Sequence, residues 1–205
     1  MVGMNIHSKK VMVFMNTSEK RQEILNAALE LIAEQGFHGA PIASIAEHAG
    51  VGAGTIYRYF ETKDLLINTL VQELHDKIHT GLMEGYNADR PVRERFIRAH
   101  TALLRFFIAN PLKFRFLEQY FHSPYGAIFH RDQIFGQRGN EDLYRMLLEE
   151  GKARQIVKDL PLVVLFALAF GPLLTVARDH ILGFVELDET LLVQTVQACW
   201  DGIKQ

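Results

Sequence analysis

The sequence has almost no cysteine, no basic excess and no alternating strand pattern, and each absence excludes a class of protein. A single cysteine, Cys199, rules out an intrachain disulfide, so a reducing cytoplasm is the expected compartment. The formal net charge is −2, and residues 1–64 hold six Lys+Arg against seven Asp+Glu, unlike the strongly basic footprint of many nucleic-acid-binding modules. A nucleic-acid function would therefore have to rest on a motif.

Two apolar segments need to be distinguished from targeting and membrane sequences. Residues 1–16 contain a short apolar run without a small-residue cleavage site, so we interpret them as a flexible N-terminal extension and not as a secretory signal. Residues 160–177 carry no charge over 18 positions, the lower limit for crossing a bilayer. Pro161, Gly171 and Pro172 interrupt that run, which favours a helix buried in a core or a subunit interface. We expect no membrane partner.

Helical periodicity extends over nearly the whole chain, and it predicts an all-α fold of about nine helices. The first helix is predicted from about Ser18 to Gln35, with Gly36 as its stop. Gly126, Gly136 and Gly139 make the stretch that contains them loosely patterned, so no separate helix is predicted there.

The N-terminal region contains the residues that a helix-turn-helix corner requires. A small residue must let the two helices touch, a glycine must take positive φ, and an apolar residue must seal the second helix. Ala46, Gly50 and Ile56 meet these needs at spacings of four and six. On the second helix of the pair, Thr55 and Arg58 are predicted to point outward.

The stretch from Gln22 to Leu70 resembles the DNA-binding domain of the tetracycline-repressor (TetR) family. The most diagnostic part is GVGAGTIYRYF at residues 50–60, followed by Thr-Lys-Asp-Leu at 62–65. The rest of the chain matches only in the number, length and breaker positions of its helices. The resemblance implies a flexible extension at 1–16, a three-helix helix-turn-helix DNA-binding domain at 17–63, and a helical ligand-binding and dimerisation domain at 64–205.

The resemblance also implies which residues contact DNA. Members of the family reach base edges from the recognition helix, where Arg58 can donate two hydrogen bonds to a guanine. Tyr57 and Tyr59 occupy positions that usually contact phosphates, as does Lys63. The predicted DNA-binding residues are Ser44, Gly54, Thr55, Tyr57, Arg58, Tyr59 and Lys63.

Two departures from the family pattern remove polar contacts. Gly52 and Ala53 stand where the family commonly has Ser-Lys, and Pro41 and Ala43 stand where it commonly has a Thr cap and an Arg. These departures bear on the affinity and the sequence preference for DNA, and they leave the expected fold unchanged.

Aromatic residues are concentrated between Phe96 and Phe135, where eight Phe and two Tyr account for ten of the 21 in the chain. Such stripes usually belong to a core, but the resemblance implies an effector cavity in this region. A cavity lined by Phe favours a planar or apolar ligand held by few polar groups. The predicted lining residues are Phe96, His100, Leu103, Phe107, Phe114, Leu117, Tyr120 and Phe121.

The last two helices resemble the dimerisation unit of the family, which implies a homodimer closed by a four-helix bundle. The predicted interface stripe on the final helix is Leu192, Val196, Cys199 and Ile203. His75 and His79 are four residues apart, as paired metal ligands can be, but no third ligand has a matching spacing. No metal site and no cofactor are therefore predicted.

The resemblance implies a homodimeric, ligand-responsive transcriptional repressor in the cytoplasm, released from double-stranded operator DNA by a small effector, and the aromatic residues favour a hydrophobic or aromatic one. The alternative is a helical small-molecule-binding or scaffold protein that has lost specific DNA binding. The slight acidic excess of residues 1–64, and Ala53 in place of the lysine common in the family, are consistent with this alternative. An enzyme is not expected, because the sequence offers no nucleophile–base pair and no paired carboxylates.

Overall fold

The computed structural model describes residues 6–135 and 142–205, and it leaves the side chains of residues 6–16, 129–130 and 132–135 undescribed. Within these ranges the chain forms ten helices and no strand, which confirms the predicted all-α fold. The helices are α1 (Ile6–Gly39), α2 (Ile42–His48), α3 (Ala53–Tyr59), α4 (Lys63–Met83), α5 (Val92–Ala109), α6 (Pro111–Phe121), α7 (Pro124–Phe135), α8 (Leu143–Ala153), α9 (Leu162–Ile181) and α10 (Glu189–Ile203).

The chain divides into two units. The first contains the residues up to His75 together with Arg115–Gln119, and the second contains Asp76–Phe114 and Tyr120–Gln205. Helices α4 and α6 therefore contribute residues to both units. The division falls inside α4, whereas the predicted domain boundary, which stays a prediction, lies at the start of that helix.

Helix α1 begins earlier than the sequence predicts. Its backbone is helical from Ile6, because no glycine or proline occurs between that residue and the predicted start at Ser18. Residues 1–5 of the predicted flexible extension lie outside the described residues. The predicted stop is confirmed, since Gly36 interrupts the helical conformation with φ 70° and ψ 179°, a geometry that glycine adopts without steric cost.

Helix α7 is an element that the sequence did not predict. Gly126 lies in its first turn, and glycine in that place reads as a helix breaker from sequence alone. In the structure this glycine packs against the carbonyl oxygen of Tyr120 and the Cα of Phe121, where a Cβ would collide with backbone atoms. The glycine thus permits a close approach between the end of α6 and the start of α7.

The core of the second unit is built around α5. Helix α10 packs on α5 and α9, and α8 packs on the same two helices. The fully buried apolar side chains include one or more from each of these four helices: Phe96, Leu104, Leu147, Leu165, Leu173 and Val196.

The stripe predicted to contact a second subunit lies in this core. Leu192, Val196, Cys199 and Ile203 are at most 1% exposed in the isolated protomer. The prediction that they form the dimer interface is therefore wrong, because this face of α10 is covered by α5 and α9 of the same chain. Burial also raises the pKa of the Cys199 thiol, as expected for a packing residue.

Helix α9 retains an exposed apolar surface. Among the described helices, it alone is long and apolar enough to cross a membrane, judged by length and composition only. Only 28% of its apolar window is buried within the protomer, so the core accounts for part of the helix and leaves the predicted alternative, a subunit interface, open for the rest. Val163, Val164 and Leu168 are 45%, 38% and 38% exposed.

Candidate nucleic-acid interface

The corner between α2 and α3 has the predicted geometry. Gly50 adopts φ 63°, and a Cβ there would meet open space, so the requirement for glycine is conformational and not steric. The N–H of Gly50 donates to the carbonyl of Glu47 at 3.1 Å, and the N–H of Val51 donates to the carbonyl of Ala46 at 2.9 Å. These bonds close the end of α2 and turn the chain into α3.

A small apolar core fixes the rotation of α3. Ile56 and Phe60, four residues apart, are 0% and 2% exposed, and Ile45 and Ala46 of α2 are 0% and 3% exposed. Because Ile56 of α3 and Phe60 directly after the helix are both buried, the side of α3 away from Ile56 faces outward. Tyr57 is accordingly 53% exposed.

The predicted DNA-binding residues lie on or beside this outward surface. Arg58 is exposed, and within the described part of the chain it has neither a hydrogen bond nor an ion pair. The guanidinium is therefore available to an external acceptor. Of the others, the exposed residues are Gly54 and Tyr57, and the half-buried ones are Ser44, Thr55, Tyr59 and Lys63.

Lys63 has a structural contact that the sequence did not predict. Its Nζ donates to the carbonyl oxygen of Phe37 at 2.6 Å, which ties the start of α4 to the last turn of α1, just after the interruption at Gly36. Partial burial lowers the pKa of Lys63, and the nearby Asp64 carboxylate opposes that shift. An ammonium has three donors, so this bond leaves others for a phosphate.

Side chains of α1 and α4 contact each other and the ring of Phe60, the residue that follows α3. Arg21 of α1 donates to Glu73 Oε1 of α4 at 2.6 Å, and its guanidinium lies 5.6 Å from the ring centroid of Phe60. Thr62 caps α4, since its Oγ1 accepts from the N–H of Leu65 at 3.0 Å. These contacts connect α1 and α4 to Phe60, the residue that follows α3.

Seven of the eight predicted cavity residues lie in the second unit, and Leu117 lies in the first. Two ring pairs occur among those in the second unit. His100 stacks on Phe96 with ring centroids 3.7 Å apart, and Phe107 packs on Phe114 with centroids 5.0 Å apart. Which of them line a cavity stays a prediction.

Two further members of the predicted set differ in burial. Tyr120 is 4% exposed and its ring stacks parallel to Tyr125, whereas Phe121 is 42% exposed on the surface of the chain. Leu103 is buried at 5% exposure.

The sequence missed two rings that accompany His100. Tyr144 of α8 meets it edge-on at 4.9 Å, and Phe170 of α9 lies 4.8 Å from it between ring centroids. Both lie outside the aromatic-rich region between residues 96 and 135. The spacing of Phe166 and Phe170, four apart on α9, was the available signal for an inward aromatic face.

Comparison with known families identifies both parts of the chain. Residues 24–70 match the family described as bacterial regulatory proteins, tetR family, and residues 91–204 match the tetracyclin repressor-like C-terminal domain. Together these matches cover the helix-turn-helix and more than half of the chain beyond it. The chain belongs to the TetR family.

Individual TetR-family proteins agree with this assignment. A TetR family protein from Vibrio parahaemolyticus is 31% identical, with a TM-score of 0.70 over 91% of this chain and 99% of that one. A TetR family regulator from Marinobacter aquaeolei VT8 has the same fold, with a TM-score of 0.79 at 22% identity over 93% and 98% of the two chains. The fatty acid metabolism regulator protein of Bacillus subtilis strain 168 is 34% identical over 88 residues, 42% of this chain and 45% of that protein.

The TetR-family assignment makes the chain a DNA-binding transcription regulator with a helix-turn-helix, and not an enzyme. It also accounts for the residues of the corner, since Ala46, Gly50 and Ile56 all fall inside the first matched range. Among the described residues no cluster of three His, Cys, Asp or Glu side chains is arranged to hold a metal ion.

Proposed function

We propose that the chain is a cytoplasmic repressor that binds operator DNA as a homodimer and is released by a small apolar effector bound in its second unit. The observation that carries the DNA-binding part is the outward surface of α3. Burial of Ile56 and Phe60 fixes its rotation, and Arg58 has no partner within the described residues. Two such helices in a dimer would present themselves to successive major grooves of a near-palindromic site.

The exposed face of α9 supports the homodimer. Val164, Ala167, Leu168 and Gly171 are exposed and recur at helical spacing, and a Cβ at Gly171 would meet nothing within 4 Å. A contiguous apolar face of this kind marks a protein interface more often than bare surface. A second copy is the occupant that fits, because TetR-family regulators typically form homodimers.

Release by an effector requires that a ligand bound in the second unit change the conformation of the first. Helices α4 and α6 each contribute residues to both units. A ligand that favours one conformation of their segments in the second unit can therefore shift the conformational equilibrium of the first. In the first unit, Phe116 of α6 packs on Phe37 of α1 with ring centroids 6.5 Å apart, and Phe37 directly follows the interruption at Gly36. The coupling free energy expected for such a device is about 1–3 kcal/mol.

The test of DNA binding uses an operator selected from random duplexes with the purified protein. Affinity is then measured by fluorescence anisotropy against that operator and against a scrambled duplex, over a range of KCl concentrations. The wild type should bind the operator preferentially, with affinity that falls steeply as salt rises. Weak binding that is equal for both duplexes would instead favour the scaffold alternative, in which specific DNA recognition has been lost.

Two substitutions separate base reading from phosphate contact. Arg58→Ala should weaken operator binding by about 1–3 kcal/mol, which is roughly 5- to 150-fold, and leave the scrambled duplex nearly unaffected. Lys63→Ala should weaken both duplexes and lower the salt slope by about 1. Arg93→Ala, at an exposed arginine of α5, is the matched control and should change neither. Unchanged operator affinity in the first two variants would contradict the assignment of this surface.

A further inference from the structure

His100 is a fully buried polar side chain with an unsatisfied ring nitrogen. The residue is 0% exposed on α5, and its ring lies among those of Phe96, Tyr144 and Phe170. Its Nε2 has no hydrogen-bond partner among the described residues. Buried polar atoms are nearly always hydrogen-bonded, so this nitrogen is expected to form a hydrogen bond with a group outside the described residues.

The other ring nitrogen determines what Nε2 can do. Nδ1 lies 3.1 Å from the carbonyl oxygen of Phe96, and a carbonyl can only accept, so Nδ1 carries the proton. Burial lowers the pKa of His100 to about 3, so the ring is neutral at physiological pH. Nε2 therefore presents a lone pair and can only accept a hydrogen bond.

The neighbouring hydroxyl does not supply the missing donor. Tyr144 donates its O–H to the carbonyl of Ala99 at 3.3 Å, which leaves Nε2 of His100 unpaired. Burial raises the pKa of Tyr144, so the phenol stays neutral. As whole residues, Tyr144 and Phe170 are half-buried, unlike His100 and Phe96, so the partly exposed members of the ring cluster lie on α8 and α9.

We propose that the effector donates a hydrogen bond from an uncharged hydroxyl or amide to Nε2 of His100, with its apolar body against Tyr144 and Phe170. This inference rests on the proposed effector-binding role of the second unit. A carboxylate has no proton to donate and would face the Nε2 lone pair, so a fatty-acid head group does not fit this position. A cationic donor is disfavoured because burying an unpaired charge among apolar rings is costly.

The test compares three probes that share one ring system: 2-naphthol, which donates, 2-methoxynaphthalene, which only accepts, and 2-naphthoate, which is anionic at pH 7. Binding to the full-length protein is measured by isothermal titration calorimetry. One neutral hydrogen bond should make 2-naphthol bind about 3- to 10-fold more tightly than the ether, with the carboxylate weakest. No binding of 2-naphthol, equal affinity for the ether, or tighter binding of the carboxylate would overturn the proposal.

Two variants tie the preference to one atom. His100→Phe keeps a planar ring but removes the lone pair, so the naphthol and the ether should then bind equally. Thr101→Val is the control, because Thr101 Oγ1 is another buried polar atom of α5 without a partner among the described residues. The control should keep the preference for naphthol. Loss of that preference in Thr101→Val, or its survival in His100→Phe, would contradict the role of Nε2.

A spectroscopic measurement on the wild type covers the case in which His100→Phe does not fold. The ¹⁵N resonance of the unprotonated Nε2 should shift upfield when 2-naphthol is added and should stay in place with the ether. An unchanged resonance with both probes would refute the hydrogen bond. Operator binding is measured separately without probes, so failure here leaves the DNA-binding proposal standing, and failure there leaves this one standing.

Discussion

Replacing Arg95 should destabilise the second unit more than any other exchange of a cation on α5. The side chain of Arg95 is 6% exposed, and it donates to three acceptors at once. Nε binds the carbonyl of Arg90 at 2.8 Å, Nη1 binds the hydroxyl of Tyr86 at 3.1 Å, and Nη2 binds Glu150 Oε1 at 2.6 Å. Removing one partner of a buried ion pair leaves the other uncompensated.

The magnitude follows from what remains after the substitution Arg95→Met. Breaking a buried pair in this way costs about 3–5 kcal/mol. The lower end applies here, because Glu150 is 28% exposed and keeps a second cation, Arg154, whose Nη2 lies 3.0 Å from the same oxygen. A loss of about 3 kcal/mol corresponds to a fall in Tm of about 6–12 °C for a chain of this size.

The assay is denaturant unfolding followed by tryptophan fluorescence. The chain has one tryptophan, Trp200, which is 3% exposed and lies 5.2 Å from the ring of Phe96, so it reports on the unit that contains Arg95. Arg93→Met is the matched control, an exposed arginine two positions earlier on the same helix. If Arg95→Met were no less stable than that control, the buried ion pair would not contribute as argued.

The same comparison has a pH dependence of known sign. The hydrogen bond from Arg95 lowers the pKa of Glu150 from its ordinary value of 4.5, while burial acts in the opposite direction. A carboxyl whose pKa is lowered in the folded state stabilises the fold above its unfolded pKa and loses that contribution as the pH falls through the folded value. The stability gap between wild type and Arg95→Met should therefore be full at pH 7 and shrink below pH 4.5. A gap that widened in acid would contradict this assignment.

Two other substitutions test the corner and the interface. Gly50→Ala should destabilise the first unit by about 1 kcal/mol through its positive φ, measured as faster amide exchange in α2 and α3. Gly52→Ala, at φ −74°, should not have this effect. Leu168→Glu should convert the dimer to a monomer in light scattering, whereas Met146→Glu, at an exposed position of α8, should leave it dimeric. A dimer that persists in Leu168→Glu would place the interface elsewhere.

The helix-turn-helix was predictable because its determinants are local. Ala46, Gly50 and Ile56 lie within eleven residues, and each has a requirement that only a few residue types meet: a close contact, a positive φ and a sealed face. The exposure of Arg58 then follows from helical periodicity once Ile56 is known to point inward. The contact of Lys63 with the Phe37 carbonyl was not predictable, because backbone acceptors carry no sequence signal.

The misplaced dimer stripe has a different cause. An apolar stripe on a helix indicates burial, and it does not indicate whether the covering surface belongs to the same chain or to a second one. Helix α10 uses the stripe containing Val196 within its own protomer, and the face that we propose for a partner consists of exposed small and apolar residues of α9 such as Ala167 and Leu168. That distinction depends on which helices pack together, and periodicity does not encode it.

The effector chemistry that we propose is the feature least predictable from the sequence, as His100 shows. From its position the residue was one of eight possible lining residues of α5 and α6, with no sign of its tautomer. The proton on Nδ1 follows from the Phe96 carbonyl one turn earlier, and the bare lone pair on Nε2 follows from the position of Tyr144 on another helix. A hydrogen-bond requirement is set by what surrounds an atom in three dimensions. The hydrogen-bond acceptor that we propose for the effector therefore becomes apparent only from the structure, where the Phe96 carbonyl and the Tyr144 hydroxyl are seen in relation to the His100 ring.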